Sequence, residues 1–139
     1  MSDPRLSLAC DWLRKARSDL ESARKLARDP DPFLDTAAYH CQQAAEKAVK
    51  GFLVLHDQEF DKVHDVRLHV LQAAEIEPLF KTVLLDAELL TPYATAFRYP
   101  YRPLEPTPAE FTAAFEAAER VYKLVLSVAP QLTPAQSSP

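Results

Sequence analysis

Ala9, Leu13, Ala16, Leu20, Ala23 and Ala27 recur at steps of four, three, four, three and four. Only an α-helix brings that spacing onto one side, and it holds the seam there for about five turns. Small residues dominate the seam, so a neighbouring helix can approach closely. The rest of the chain follows the same period. A single glycine, Gly51, stands against twelve prolines, and alternating apolar segments are nearly absent. The expectation is an all-α chain whose helix ends are set by proline.

The first helix should stop before Pro30, because Asp29-Pro30-Asp31-Pro32 forces extended backbone at the residues preceding each proline. Asp31 is then expected to cap a second helix with Pro32 at its first position, running to about His56. A polar loop through Asp61 leads to a short third helix over Asp65 to Ala74. Pro78 is expected to open a fourth helix through Leu79, Val83, Asp86, Ala87 and Leu90, which Thr91-Pro92 either kinks or follows with another helix. Pro100, Pro103 and Pro106 interrupt helix beyond Phe97. Thr107-Pro108-Ala109-Glu110 is then a capping box with proline at the first helical position. Phe111, Ala114, Phe115, Ala118, Val121, Tyr122, Val125 and Ala129 give the last helix its buried face. The expected organisation is one helical bundle domain of four to five helices over residues 1–129 and a disordered tail over 130–139. No internal repeat is visible.

At 139 residues such a domain buries about two-thirds of its unfolded surface and needs neither metal nor disulfide. Cys10 and Cys41 lack CxxC spacing and read as reduced core thiols of a cytoplasmic protein. The N-terminus lacks signal-peptide character, and no apolar run approaches the roughly 20 residues that span a bilayer, so no membrane association is expected. A net charge of −4 argues against binding nucleic acid by bulk electrostatics. Seven of the sixteen basic residues lie between Arg5 and Arg28, but Asp11, Asp19, Glu21 and Asp29 interleave with them. That pattern suits a mixed-charge exterior or a weak polyanion-facing surface.

Phosphate loops and dinucleotide folds need several glycines, so one glycine excludes both. His40, His56, His64 and His69 contain no HxxxH or HExxH pair, and no metal or cofactor is expected. Glu75 and Glu77, like Asp86 and Glu88, are two apart and face different directions on a helix, so they form no ready acid/base pair.

Three places carry possible function. On the second helix, Gln43, Glu46, Lys47 and Lys50 form a polar stripe beside the apolar band of Ala37, Cys41, Ala44 and Ala48. It reads either as a solvated face, with Glu46–Lys50 a pair of a few tenths of a kcal/mol, or as a polar groove or partner surface. His64-Asp65 begins the third helix, where Asp65 can cap and the imidazole can titrate near neutral pH. Phe97-Arg98-Tyr99-Pro100-Tyr101-Arg102-Pro103 holds two arginines and two tyrosines between prolines. It suits phosphate and base recognition, or equally an inter-helix plug in which Arg98 caps carbonyls.

Taken in order, Trp12-Leu13-Arg14-Lys15-Ala16, Asp19-Leu20, Cys41-Gln42-Gln43-Ala44-Ala45-Glu46-Lys47-Ala48-Val49-Lys50, His64-Asp65-Val66 and Leu90-Thr91-Pro92-Tyr93 with Arg98-Tyr99-Pro100 resemble the HEPN domain family from residue 9 to about 128. The resemblance implies an up-and-down helical bundle that commonly forms homodimers, and a family proposed to bind nucleotides or cut RNA. Many small members pair with a minimal nucleotidyltransferase as toxin and antitoxin. Ribonuclease members carry an arginine followed, after four to six residues, by a histidine. Here nothing beyond His69 is a histidine, and without an imidazole such a metal-free nuclease loses proton transfer worth about 10²–10⁴-fold. The expectation is therefore a non-catalytic module binding a nucleotide or a nucleotidyltransferase partner through Lys47, Lys50, His64, Arg98 and Tyr99. The alternatives are an endoribonuclease toxin acting on RNA with a spatially assembled histidine such as His64, and a structural dimerisation module.

Overall fold

The computed structural model describes residues 3–60, 65–96 and 105–135. Among these, all regular structure is helical: α1 (Pro4–Arg28), α2 (Leu34–Leu55), α3 (Val66–Ile76), α4 (Leu84–Leu90), α5 (Tyr93–Ala96) and α6 (Pro108–Val128), with 3₁₀ turns at Pro78–Val83 and Pro130–Leu132. The expected up-and-down helical bundle is what forms.

Helix α1 starts where Asp3 accepts a hydrogen bond from the Arg5 amide at 2.9 Å, with Pro4 in the first turn. Its seam is buried as the spacing requires: Ala9, Leu13, Ala16, Leu20 and Ala23 all lie in the core, and Ala27 is half-buried. The short Asp29–Phe33 link reverses the chain. Early α2 therefore meets late α1, and late α2 returns to early α1, where a Cβ on Gly51 would lie 3.1 Å from the Ala9 carbonyl and would overlap Leu13 Cδ2. The helices approach closely because Gly51 has no side chain there.

Helix α6 opens on the expected capping box. The Thr107 hydroxyl accepts from the Glu110 amide at 3.1 Å, and Glu110 Oε1 accepts from the Thr107 amide at 2.9 Å. The bond from the Thr107 amide, followed by the Thr107 side chain, holds the exposed Glu110 carboxyl below its usual range. Asp65 caps α3 by accepting from the Arg67 and Leu68 amides. Phe52 of α2 packs on Phe80 with ring centroids 4.7 Å apart, and both are essentially fully buried. Burial of this kind contributes about 1.5–3 kcal/mol per large side chain. At the surface, Arg120 of α6 donates to Asp86 of α4, and Arg67 of α3 donates to Glu88 of α4.

Three expectations differ from what forms. Helix α2 begins at Leu34 rather than Pro32, and Phe33 precedes it without a side-chain cap. Asp29 turns instead onto the Asp31 amide at 2.9 Å, which stabilises the link as a bend. Pro78 opens a 3₁₀ segment, and α-helix begins only at Leu84, so Leu79 is about half exposed rather than part of an apolar α-face. The stretch from residue 130, expected as a disordered tail, begins with an ordered 3₁₀ turn. It buries Leu132 against the core, and burial of one leucine is enough to fix a turn that proline already restricts.

Candidate functional site

The polar stripe of α2 is neither a solvated face nor an open groove along its whole length. It divides into two ionic clusters, one against α1 and one against α3.

The first is centred on Asp19, which sits on the α1 face turned toward α2 and is 8% exposed. Asp19 Oδ1 lies 2.8 Å from His40 Nδ1, and Lys47 Nζ donates to Asp19 Oδ2 at 2.7 Å. His40 and Lys47 are seven residues apart on α2, two helical turns, so both can reach the same carboxylate from one side. The pairing fixes the imidazole through Nδ1 and leaves Nε2 as the ring nitrogen not engaged by Asp19. Cys41 is buried beside this cluster. Burial first, then the charges of Asp19 and Glu119, pushes its thiol up to about 12. It is a protonated core thiol; Cys10 is half-buried, and both are free.

The second cluster is centred on Glu46, which is 1% exposed. Lys50 Nζ lies 3.0 Å from Glu46 Oε1, while Gln42 and Gln43 each donate from Nε2 to Glu46 Oε2 at 3.3 Å. Gln43 also donates to Gln42 Oε1 at 2.7 Å. From α3, buried His69 brings Nε2 to 3.8 Å from Glu46 Oε1. The Lys50 ammonium lies 5.6 Å from the Trp12 ring centroid and 5.4 Å from that of Phe60, a cation–π sandwich. Burial of a carboxylate costs free energy unless its oxygens are paired and hydrogen-bonded, and here both oxygens have partners.

The two lysines singled out from the sequence therefore share one helix face and differ in access. Lys50 is held inside, between a carboxylate and two rings. Lys47 borders an open recess of about 350 Å³ lined also by Leu8, Asp11, Trp12 and Lys15. A second recess of about 350 Å³, lined by Asp11, Arg14, Lys15 and Ser18, continues it along α1. Arg14 pairs with Asp11, whereas Lys15 makes no ion pair among the described residues. His64, Arg98 and Tyr99 lie outside the described residues, as does the whole Phe97–Pro103 segment. Among the described residues no group of three His, Cys, Asp or Glu side chains has the geometry to hold a metal, and no helix is long and apolar enough to cross a membrane.

Sequence reasoning missed Asp19, His40, Gln42 and His69 as members of the site. A signal existed for one of them. Asp19 falls one residue before Leu20 and three after Ala16, at the edge of the α1 seam, where a carboxylate is hard to place in solvent.

The chain belongs to the HEPN domain family, whose model matches residues 9–128. It is similar to the crystal structure of TT1696 from Thermus thermophilus, at 26% sequence identity and a TM-score of 0.76, covering 86% of this chain and 96% of that one. It is also similar to ST0689, an archaeal HEPN homologue, at 26% identity and a TM-score of 0.66, covering 90% of this chain and 98% of that one. No curated protein gives a significant match.

Proposed function

We propose that this HEPN chain is a non-catalytic binding module whose α1–α2 face accepts a nucleotide, free or carried by a minimal nucleotidyltransferase partner, within a cytoplasmic toxin–antitoxin pair. The observation that carries the reading is the recess at Lys47. Trp12 lines it, and Lys15 and Lys47 bring two cations to it from adjoining helices. A base that stacks and a phosphate that needs cations fit that combination. Lys47 is held by Asp19, so its ammonium is pre-positioned rather than mobile. Lys50 supports the site from inside, and His64, Arg98 and Tyr99 remain candidate contacts. A homodimer belongs to the same reading.

The test is calorimetric titration with AMP and ATP. Saturable binding at millimolar ligand or below, weakened by Lys15→Ala and by Arg98→Ala, is the expected result. Absence of binding at millimolar nucleotide removes the nucleotide, and failure to co-purify a nucleotidyltransferase removes the partner.

A second reading, metal-independent RNA cleavage, rests on one observation. Asp19 holds His40 through Nδ1 at 2.8 Å, the arrangement that leaves the other ring nitrogen for proton transfer. Incubating the protein with tRNA separates the readings, because only this one expects cleavage that is lost in His40→Ala or His64→Ala.

A further inference from the structure

Away from the Lys47 recess, and sharing no residue with it, a further hollow of about 290 Å³ lies between the C-terminal end of α1 and the first turns of α6. Its walls are apolar, with Ala27, Leu34, Phe111 and Phe115 among them, while Arg24 and Arg28 border it from α1. Phe111 and Phe115 lie one turn apart with ring centroids 6.0 Å apart, and Arg24 Cζ stands 5.3 Å from the Phe115 centroid.

The charges at this border are unbalanced. Arg24 and Arg28 are four residues apart on one helix, a like-charge spacing that is destabilising. Glu119 approaches Arg24 only at 4.0 Å. Arg28 makes no ion pair or hydrogen bond among the described residues, and the neighbouring Asp29 is engaged with the Asp31 amide. The α1 C-terminus favours a cation at Arg28, but that accounts for one charge and not for two beside an aromatic hollow.

We propose that this hollow binds a small amphipathic monoanion, an aryl or short alkyl carboxylate, with its apolar body against Phe111 and Phe115 and its carboxylate between Arg24 and Arg28. A guanidinium pair recognises a carboxylate through charge-assisted hydrogen bonds. The volume lies at the lower end of the range for small-molecule sites and suits a ligand of about a dozen heavy atoms. A nucleotide fits less well. Its ribose and base edges would need polar partners, and the Thr112 hydroxyl in this wall already donates to the Pro108 carbonyl at 2.9 Å.

The experiment is an NMR titration of the isotope-labelled full chain with phenylbutyrate, and in parallel with neutral phenylbutanol and with AMP. Saturable phenylbutyrate binding is expected, with amide shifts concentrated at Ala27, Arg28, Leu34, Phe111, Thr112 and Phe115. Phenylbutanol should bind about fivefold or more weakly. Arg28→Gln, an exposed change that leaves the core intact, should weaken phenylbutyrate several-fold and leave phenylbutanol unchanged. Equal affinity for acid and alcohol, shifts centred elsewhere, or indifference to Arg28→Gln would overturn the proposal. So would AMP binding these amides more tightly than phenylbutyrate. Loss of nucleotide binding at Lys47 does not bear on any of these outcomes.

Discussion

Replacing Asp19 by alanine removes the acceptor of two α2 side chains at once, and its cost can be worked from the geometry. Lys47 Nζ at 2.7 Å and His40 Nδ1 at 2.8 Å both address this carboxylate. A hydrogen bond involving a charged group contributes about 1.5–3 kcal/mol. The Lys47 and His40 side chains are 26% and 28% exposed, so water recovers part of what each loses. The expected destabilisation for Asp19→Ala is therefore about 2–3 kcal/mol, short of the loss of about 3–5 kcal/mol for a fully buried pair. In a domain of this size that lowers Tm by roughly 10 °C. Urea denaturation followed by far-ultraviolet circular dichroism measures it. A cycle with Lys47→Met isolates the pairwise part, with a coupling energy of about 1–2 kcal/mol expected. The reasoning fails if Asp19→Ala lies within about 0.5 kcal/mol of the parent, or if the cycle closes with no coupling. The same substitution frees Lys47 from its anchored position, so nucleotide affinity should fall along with stability.

Gly51→Ala should destabilise. The gain of about 1 kcal/mol in helix propensity opposes overpacking of about 1–3 kcal/mol where the new Cβ meets Leu13, the Ala9 carbonyl and Trp12 Cβ. A variant more stable than the parent would show that Leu13 yields without strain. Cys41 should resist a thiol-specific disulfide reagent in the native protein while Cys10 reacts; equal rates would contradict its burial. Because the folded Cys41 pKa is raised from 9.0 to about 12, the unfolded chain ionises first. The stability this thiol contributes is complete below pH 9.0 and is lost as the pH rises through about 12. Cys41→Ala should flatten that slope, and an unchanged slope would refute the assignment.

The fold was largely legible because helical period and proline punctuation act over short range. The α1 seam, the Thr107–Glu110 box and the Asp65 cap each follow from neighbours within a few residues, and each forms. The Pro78 segment did not follow, because proline at a first turn starts a 3₁₀ and an α-helix equally well. The site was legible only in part. Lys47 and Lys50 stood out as a stripe, yet their difference in access depends on Asp19 of α1 and on Trp12 and Phe60, which the chain brings over them from a distance. Asp19 looked like one charge in an interleaved run, and His40 like an isolated imidazole. Their meeting depends on the α1–α2 crossing, which local sequence does not encode. The Leu132 turn was hidden for a similar reason, since a lone leucine between prolines carries no periodicity.

The short link from α1 to α2 and the alanines along the α1 seam bear on how the molecule assembles. Alanine has no rotamers to freeze, and closing so few residues into a hairpin loses little chain freedom. Contacts within this hairpin are more local than those to α6, so it is expected to form first, which higher φ-values at Ala16 and Ala44 than at Ala118 would check. On that route the Asp19–His40–Lys47 cluster, contributed by α1 and α2 alone, comes together in the first step.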